Sequence, residues 1–539
     1  MRYCCMLERS ANEIPATLQA ATRIAILEAQ LSDREQRLAD TRTQLQAREQ
    51  RIKILEEALR ALRADRFGAS REKLKESPGQ SALFNEVEVV GELIELVGVQ
   101  PLLTATPLRE TKPGSPHKPG RRVLAAHLPR IEIRHELPPL ERTCGCGHTL
   151  TEIDTEASEQ LDYVPAKVQV LRHLRVKYAC SGCDQGMKIA PVPAQILPKS
   201  NAAPGLLAQI VTSKYADHLP LYRQEAIFER HGVSLPRATQ AAWIIALVEP
   251  LTPLLNLMDE RLRTSGYIRM DETPLQVLKS EKTPGSGHWM WVRVAGAPRQ
   301  RILLFDHHAS RAGAVAEALL EGSGGYLQTD GYAAYDGVAA RLVLTHLGCL
   351  AHARRRFFEA VKALPKEQAR TETAAHEAVR RIDALYALER EAKAQGLDDE
   401  GRQRLRATRA VPLLHSLHGW AVARQAGTLP SGKLGEAFAY LLTQWPKLVR
   451  YTLDGRLALD TNLAENAIRP FALGRRNWLF ADTVKGAKAS AALYSLIETA
   501  KANGLEPFAY LRNLFKKLPH AKCVEDFEAL LPFNTNDEI

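Results

Sequence analysis

Hydrophobic residues near the N-terminus recur at a strict seven-residue spacing, at Ile24, Leu31, Leu38, Leu45, Ile52 and Leu59. The second core position of the heptad is apolar at both ends of this segment but polar in its middle, at Arg34, Thr41 and Arg48. The spacing predicts a long helix between Pro15 and Gly68 that pairs with another helix as a coiled coil, weakest at its centre. An amphipathic helix folded onto its own domain is the alternative interpretation.

The heptad pattern is lost further along the chain. Proline, glycine and cations predominate over 104–122, which predicts a linker. The KPGRR stretch within it either contacts DNA or is simply solvated. Alternating apolar and polar residues over 159–180 then predict strands.

Residues 204–246 have a helical periodicity that breaks at Gly232 and then resumes. Two helices joined by a short glycine turn are typical of a helix-turn-helix DNA-binding motif, but also of helical hairpins that bind nothing. If the segment is a DNA reader, Arg237, Thr239 and Gln240 of its second helix are the candidate DNA contacts.

Five apolar stretches bounded by turn residues predict strands, at 266–278, 288–294, 301–306, 324–330 and 340–349. A helical pattern at 310–322 separates the third of them from the fourth. Three antiparallel strands, a helix and two further strands are the order of an RNase H-like α/β core. Residues 353–450 have helical periodicity almost throughout, which predicts an α-helical insertion in that core.

These patterns predict a multidomain α+β protein. Its predicted parts are a coiled coil (15–67), a linker (68–122), a zinc-ribbon module (123–200), a helix-turn-helix-like region (201–260), an RNase H-like core (261–352 and 451–500) with an α-helical insertion (353–450), and a C-terminal helical tail (501–539).

Length and charge narrow the function. A chain of 539 residues is too long for one core. Its net charge of +10 favours a polyanionic partner such as DNA. No apolar run approaches the roughly 20 residues that a membrane span requires, and the N-terminus lacks the apolar region of a secretory signal. We therefore expect a cytoplasmic protein without a membrane partner, associated with the nucleoid when it binds DNA.

Four of the eight cysteines form two close pairs, Cys144 with Cys146 and Cys180 with Cys183. The second pair has the C-x-x-C spacing of a zinc ribbon, whereas the first is the tighter C-x-C, where His148 could replace one thiolate. The order of the pairs predicts one structural Zn²⁺. Four unligated core thiols are the alternative.

Two aspartates close predicted strands, Asp271 the first strand and Asp330 the fourth. Each could simply begin a turn. In an RNase H-like sheet, however, these two strands are neighbours, so the two side chains would lie together. Clustered carboxylates persist where cations neutralise them, and two Mg²⁺ (or Mn²⁺) ions about 4 Å apart would do so and would serve phosphoryl transfer.

The stretch TNLAENAIRP, 461–470, offers a third acid. Asn462 can cap a helix here, and Glu465 stands where a capping box carries its acid. Alternatively, Glu465 is the third corner of the acidic site. Cys349 and His352, spaced as C-x-x-H before the insertion, either bind a metal or pack near the active site.

Four motifs in this order make the chain resemble the DDE transposases of the insertion sequence 66 family: MDETP, TDGYAAY, GCLAHARRRF and NLAENAIRPFALGRRNWLF. RFGASREKL and EQLDYVPAKVQVLRHLRVKYAC are similar to the N-terminal half of the same family. The resemblance implies that Asp271, Asp330 and Glu465 are the catalytic acids. It also implies a reaction on the DNA ends of the element, assisted by accessory proteins of that element.

The sequence therefore predicts a transposase that uses two Mg²⁺ ions, cleaves DNA at terminal inverted repeats, joins it to target DNA and assembles with itself through the coiled coil. Candidate phosphate contacts are Arg354, Arg355, Arg356, Arg475, Arg476 and Lys485. Two alternatives remain: a non-catalytic zinc-ribbon and helix-turn-helix DNA-binding regulator, and an RNase H-like nuclease that cuts without joining.

Overall fold

The computed structural model describes residues 16–67, 167–179, 187–281, 287–365 and 371–535. The predicted linker at 68–122 and the four cysteines of the predicted ribbon lie outside these ranges, so both remain predictions. The chain divides into two compact units. All helices and strands given below belong to the larger unit, formed by residues 1–85 and 173–539.

A helix of 52 residues, α1 (Ala16–Phe67), occupies the segment with the heptad pattern. At 1.5 Å per residue it is about 78 Å long. Between Ile24 and Leu59, the apolar heptad positions are 49–59% exposed: Ile24, Leu27, Leu31, Leu38, Leu45, Ile52, Leu55 and Leu59. Within the described residues, this face is therefore not folded onto the chain's own core.

The C-terminal end of α1 contacts the rest of the unit. Arg60 donates from Nε to the carbonyl oxygen of Ala363 at 2.9 Å. Glu57 accepts, on Oε2, the backbone N–H of Lys433 at 3.2 Å. These two hydrogen bonds anchor the last turns of the helix.

A short antiparallel hairpin follows, made of β1 (Lys177–Ala179) and β2 (Met187–Ile189). The residues between the two strands contain the second predicted thiol pair and lie outside the described ranges. The alternation over 159–180 predicted a longer strand, but residues 167–176 are not strand. Val170 is 92% exposed there, so the apolar face that alternation needs to bury has no partner among the described residues.

Four helices lead into the central sheet: α2 (Pro204–Tyr215), α3 (Leu221–Arg230), α4 (Arg237–Ala246) and α5 (Val248–Arg263). Gly232, with φ of +75°, makes the turn between α3 and α4, a conformation that glycine adopts without strain. None of the described helices is long and apolar enough to cross a membrane alone; α4 and α5, bent by 42° at their junction, meet that criterion together by length and composition.

The central sheet has five strands: β3 (Tyr267–Leu275), β5 (His288–Ala295), β6 (Ile302–His308), β7 (Tyr326–Gln328) and β8 (Thr345–Leu347). Their spatial order is β6-β5-β3-β7-β8. The first three pair antiparallel, whereas β3, β7 and β8 pair parallel. Two short strands outside this sheet, β4 (Val277–Lys279) and β9 (Ala481–Thr483), pair with each other in parallel.

Two of the predicted boundaries in this sheet are wrong. β3 does not end at Asp271 but continues to Leu275, because its residues pair with β5 along that whole length. Residues 340 and 341, predicted as strand, end a helix that begins at Ala334. Its buried residues Tyr335, Val338 and Ala339 follow helical spacing, and this burial outweighs the β-forming residues that come next.

The remaining helices flank the sheet or form the predicted insertion: α6 (Gly313–Leu320), α7 (Ala334–Arg341), α8 (Leu350–Lys362), α9 (Ala374–Ala394), α10 (Asp399–Leu405), α11 (Val411–Gln425), α12 (Lys433–Leu448), α13 (Asn462–Trp478), α14 (Val484–Ala502), α15 (Pro507–Lys517) and α16 (Val524–Glu528). Helices α8, α9, α11 and α12 enclose a second hydrophobic core, which includes Phe357, Ile382, Phe438 and Leu441.

One buried arginine ties the insertion to the segment that leads back to the sheet. Arg406, only 1% exposed, pairs with Glu389 at 2.7 Å. It also donates to the carbonyl oxygens of Tyr451, Asp454 and Leu457. A buried guanidinium needs this full set of acceptors, so the segment before α13 is held in one conformation.

The outer edge of β6 is covered by α14. Side chains spaced four residues apart along the helix hydrogen-bond to alternate backbone groups of the strand: Ser495 to Phe305, Thr499 to Leu303 and Asn503 to Arg301. Thr499 both accepts the N–H of Leu303 and donates to its carbonyl oxygen, each at 3.0 Å. The helix thus pairs with backbone groups of β6 that would otherwise be free to bind another strand.

Candidate active site

The two predicted aspartates, Asp271 and Asp330, lie side by side at one end of the parallel strands β3 and β7. The parallel register pairs Arg269 of β3 with Gln328 of β7. Asp271 and Asp330 each follow two residues after these partners, so they extend from neighbouring strands at the same height. The structure therefore brings together two residues that are far apart in sequence.

Glu465 approaches the same end of these strands from the first turn of α13. The helix packs through Ala464, Ala467, Ile468 and Phe471, which are buried in the core that contains the sheet. Because these apolar residues fix the rotation of the helix, the position of Glu465 is determined by packing rather than by a flexible loop.

The charges of the other two acids act on Asp271. Burial, as the main cause, raises the pKa of Asp271 to about 8. The negative charges of Glu272, Asp330 and Glu465 raise it further, while the N–H of Glu272 donates to Oδ1 at 2.8 Å and opposes the rise. Carboxylates that repel one another in this way form a site that favours cations.

The prediction that Asn462 caps the helix of Glu465 is wrong. The helix begins at Asn462, and its N-cap is Thr461, which makes no side-chain capping bond. Thr461 instead donates its hydroxyl hydrogen to Glu465 at 3.2 Å, and Asn462 donates to Asp460 at 3.1 Å. A capping box does not form, because Thr461 makes no capping bond and the third helical position is Ala464.

Two nitrogen-bearing side chains approach Glu465 from α8. His352 Nδ1 lies 3.7 Å from one carboxylate oxygen, and Arg355 Nη2 lies 3.8 Å from the other. Both belong to the first two turns of α8, which follows β8 directly. Arg355 attracts the charge of Glu465, whereas burial, as the main cause, lowers the pKa of His352 and favours its neutral form.

The turn that carries Asp330 is held by the insertion. Tyr440 of α12 donates to the carbonyl oxygen of Asp330 at 2.9 Å. Gly331, with φ of +93°, follows directly, and a Cβ there would lie 3.0 Å from the hydroxyl oxygen of Tyr440. Only glycine therefore fits this turn without strain.

Glu272 is a carboxylate that sequence reasoning missed. Its side chain is 2% exposed, with Arg311 donating to one oxygen at 2.7 Å and Tyr335 donating to the other. Arg311 in turn stacks over the ring of Tyr332 at 4.1 Å. Because both oxygens of Glu272 are engaged, it supports the strand next to Asp271 and is not a free ligand.

Cys349 and His352 lie at the start of α8, beside Glu465. Cys349 is fully buried, and its Sγ accepts the backbone N–H of Thr461 at 3.3 Å. The potential ligand atoms of Cys349, His352 and Glu465 lie within 4.8 Å of one another. The C-x-x-H pair is therefore part of the site's surroundings.

Two of the candidate DNA contacts are wrong. Gln240 is fully buried, and its amide donates to the carbonyl oxygen of Leu235 at 2.9 Å. Arg354 is 7% exposed and pairs with Asp383 at 2.6 Å. Side chains that are buried and hydrogen-bonded within the protein cannot reach DNA in this conformation.

The other candidate DNA contacts differ in how exposed their side chains are. Arg475 is half-buried and donates to the carbonyl oxygen of Pro274 and to Thr273, so it holds β3 against α13. Thr239 is half-buried as well. The exposed candidates are Arg237, Arg355, Arg356, Arg476 and Lys485, of which Arg356 stacks over Tyr440 at 4.3 Å.

Four family models match the chain. One described as "Transposase IS66 family" matches residues 199–489, and one described as "IS66 C-terminal element" matches 495–533. One described as "zinc-finger binding domain of transposase IS66" matches 141–184, a range that includes all four paired cysteines and supports a zinc ion there. One described as "Transposase C of IS166 homeodomain" matches 54–133 and runs through the segment predicted as a linker.

Proteins of Sinorhizobium fredii, all described as uncharacterized, are similar over most of their length. The protein y4qI is 31% identical over an alignment that covers 98% of this chain and 94% of the relative. The protein y4jD is 32% identical, with 76% of this chain and 81% of the relative covered. The protein y4hP is 30% identical, with 74% and 73% covered.

Proposed function

Because the chain belongs to the IS66 family of transposases, we propose that it binds the ends of an insertion sequence and catalyses Mg²⁺-dependent cleavage and strand transfer of DNA. The observation that carries this proposal is the convergence of Asp271, Asp330 and Glu465 at one sheet edge. Three carboxylates that repel one another weaken the fold unless bound cations neutralise them.

The proposal includes an RNase H-like core. The strand order β6-β5-β3-β7-β8, with three antiparallel strands followed by two parallel ones, supports it. The acids then come from the central strand, its parallel neighbour and a helix beyond the insertion. In open sheets with parallel strands, sites form at the carboxyl ends of those strands, which agrees with this arrangement.

The donor set fits hard divalent cations. It consists of carboxylate oxygens, which Mg²⁺ and Mn²⁺ prefer. The negative charges of Asp330 and Glu465 both act on Asp271, and bound cations would relieve this repulsion. Asp271, Asp330 and Glu465 would hold the ions. When bound, two such ions stabilise the attacking and leaving oxygens of a phosphoryl transfer.

In the proposed reaction, the oxygen of a water molecule forms a bond to the scissile phosphorus, and the 3′-oxygen of the element end leaves and takes up a proton. The freed 3′-hydroxyl then attacks a phosphodiester of the target, whose own 3′-oxygen leaves. Arg355, Arg356, Arg476 and Lys485 are exposed and are proposed to bind the flanking phosphates.

DNA binding is proposed to involve the N-terminal modules. The zinc-finger and homeodomain matches support it, and Cys144, Cys146, Cys180 and Cys183 are the proposed zinc ligands. Arg237 at the start of α4, preceded by the glycine turn, is a proposed contact in a helix-turn-helix. Two copies of the exposed heptad face of α1 would pair to form a coiled coil.

The test is a Mg²⁺-dependent cleavage and joining assay on DNA from the ends of the element, with DNA binding measured in parallel. Asp271→Asn and Asp330→Asn should each lower cleavage by orders of magnitude and keep binding. Glu400→Gln, on an exposed site of the insertion, is the matched control and should behave as the unchanged protein.

Three outcomes separate the candidate functions. Cleavage that survives both aspartate substitutions would refute the assigned site. DNA binding without any cleavage would favour the regulator. Cleavage without joining, when target DNA is supplied, would favour the nuclease.

A further inference from the structure

The N-termini of two helices meet beside the acidic cluster. Cys349 is the N-cap of α8, and His352 lies in the first turn of that helix. Glu465 lies in the first turn of α13. Backbone hydrogen bonds hold the two helix starts together, with Leu350 donating to Leu459 at 3.0 Å.

The ligand atoms of these side chains form one group. Cys349 Sγ, a ring nitrogen of His352 and a carboxylate oxygen of Glu465 all lie within 4.8 Å of one another. A tetrahedral Zn²⁺ holds sulfur, nitrogen and oxygen ligands roughly 3.5 Å apart, as its bond lengths require. Rotamer shifts of about an ångström would therefore close the group around an ion.

The surroundings of Cys349 suit a metal-bound thiolate. Its place at the N-terminus of α8 and the backbone N–H of Thr461, which donates to Sγ at 3.3 Å, both stabilise negative charge on the sulfur. A dication would supply the positive charge that the thiolate lacks.

His352 offers both a ligand atom and an entry path. Its Nδ1 atom is buried and makes no hydrogen bond to any described residue, although it lies 3.7 Å from Glu465 Oε1. The side chains of His352 and Glu465 are 26% and 21% exposed, so an ion can reach the group from solvent. A buried polar atom without a partner is costly, and metal binding would remove that cost.

We propose that Cys349, His352 and Glu465 bind a divalent transition metal such as Zn²⁺, with water as the fourth ligand. The mixed sulfur, nitrogen and oxygen donors select such an ion over Mg²⁺. This site is separate from the zinc ribbon. If the proposed transposase function holds, the ion also inhibits it, because Glu465 cannot serve both sites at once.

Metal binding is tested on the full chain with Co²⁺, whose bond to a thiolate absorbs in the near ultraviolet. The protein is first loaded with zinc, weakly bound metal is removed, and Co²⁺ is then added. We expect one further equivalent with thiolate-to-cobalt absorption. Cys349→Ser should lose this absorption, whereas Cys523→Ser, which changes an exposed cysteine far along the chain, should retain it.

His352→Asn provides a second test, because its half-exposed position makes folding less sensitive to the change. It should weaken Co²⁺ binding at least about 10- to 100-fold, as loss of metal-site groups does. If either folded variant binds Co²⁺ with unchanged affinity and absorption, the site is refuted.

Inhibition is a separate measurement. Zn²⁺ should block Mg²⁺-dependent cleavage, and Cys349→Ser should need about tenfold more Zn²⁺ for the same block. Cobalt binding in a protein that never cleaves DNA would refute the proposed transposase function and leave the metal site standing. Cleavage together with an absent cobalt signal would refute the metal site alone.

Discussion

Glu465 has either a structural or a catalytic role, and a single substitution can separate the two. It makes no capping bond, and its charge acts on Asp271. Glu465→Gln keeps the size of the side chain and can still accept a hydrogen bond from the Thr461 hydroxyl. We therefore expect the free energy of unfolding to change by less than about 1 kcal/mol. Cleavage and joining should fall by orders of magnitude, because the substitution removes charge from a site for dications.

The measurement pairs a thermal unfolding curve with the cleavage assay on the same preparation. Glu400→Gln again serves as the control. A glutamine variant that cleaves like the unchanged protein would remove Glu465 from the catalytic site. One that unfolds early would instead show that its hydrogen bond to Thr461 stabilises α13.

The single-residue corrections share a physical cause. Gln240 and Arg354 have the polarity of DNA contacts, but both are buried and bonded within the protein: Gln240 to Leu235, five residues before it, and Arg354 to Asp383, 29 residues after it. Sequence spacing cannot show that a polar side chain is buried by packing. Asp271 and Asp330 could be found because each follows or lies within an apolar strand, a pattern that the local sequence shows.

Ser495, Thr499 and Asn503 of α14 form a side-chain ladder along β6, and this ladder is expected to protect the sheet edge. Thr499→Val has nearly the same shape but leaves the N–H and the carbonyl oxygen of Leu303 unpaired. Two buried backbone groups without partners cost about 2–6 kcal/mol, so the variant should unfold earlier and aggregate through the exposed edge.

Thr499→Ser is the matched control for this prediction. It keeps the hydroxyl and loses only a methyl group, so it should retain most of the stability and remain free of aggregates. Thermal unfolding and light scattering provide the two readouts. Equal losses in both variants would mean that packing, rather than the hydrogen bonds, closes the edge.

This ladder could not be read from the sequence. A serine, a threonine and an asparagine spaced by four lie on one face of a helix, which by itself indicates only a polar stripe. The stripe becomes an edge cover because β6 is the outermost strand, and that follows from the long-range pairing of the sheet. The strands themselves depend on local apolar runs, and their order along the chain was predicted correctly.

The exposed face of α1 predicts self-association. Leu38→Glu together with Leu45→Glu would place charges on the heptad face while keeping good helix formers. We expect loss of oligomers in light scattering and weaker binding to paired DNA ends. Gln46→Glu, one residue off that face, adds charge without touching it and should leave the mass unchanged. An unchanged mass in the double variant would contradict pairing through α1.

The chain as a whole should lose stability in mild acid. Burial, as the main cause, lowers the pKa of His307 to about 4, and the charges of His288, His308 and Lys488 act in the same direction. An unfolded histidine titrates near pH 6.5, so between about pH 6.5 and 4 the unfolded chain binds more protons. Stability therefore falls as the pH falls through this window, by up to about 3 kcal/mol from this residue.

His307→Gln should flatten this pH dependence, because glutamine cannot take up the proton. Thermal unfolding midpoints at several pH values between 4 and 7 are the measurement, and exposed His415→Gln is the control that should keep the original slope. The same slope in both variants would mean that other groups govern the acid sensitivity.

The order of the acids along the chain sets when a growing polypeptide first contains the whole proposed site. Asp271 and Asp330 emerge early, but Glu465 follows about 200 residues after Asp271, beyond the helices that steady its segment. At 5–20 residues per second, that delay is roughly 10 to 40 s. If the proposed catalysis holds, chains that end between Asp330 and Glu465 carry only two of the three acids and should not cleave DNA.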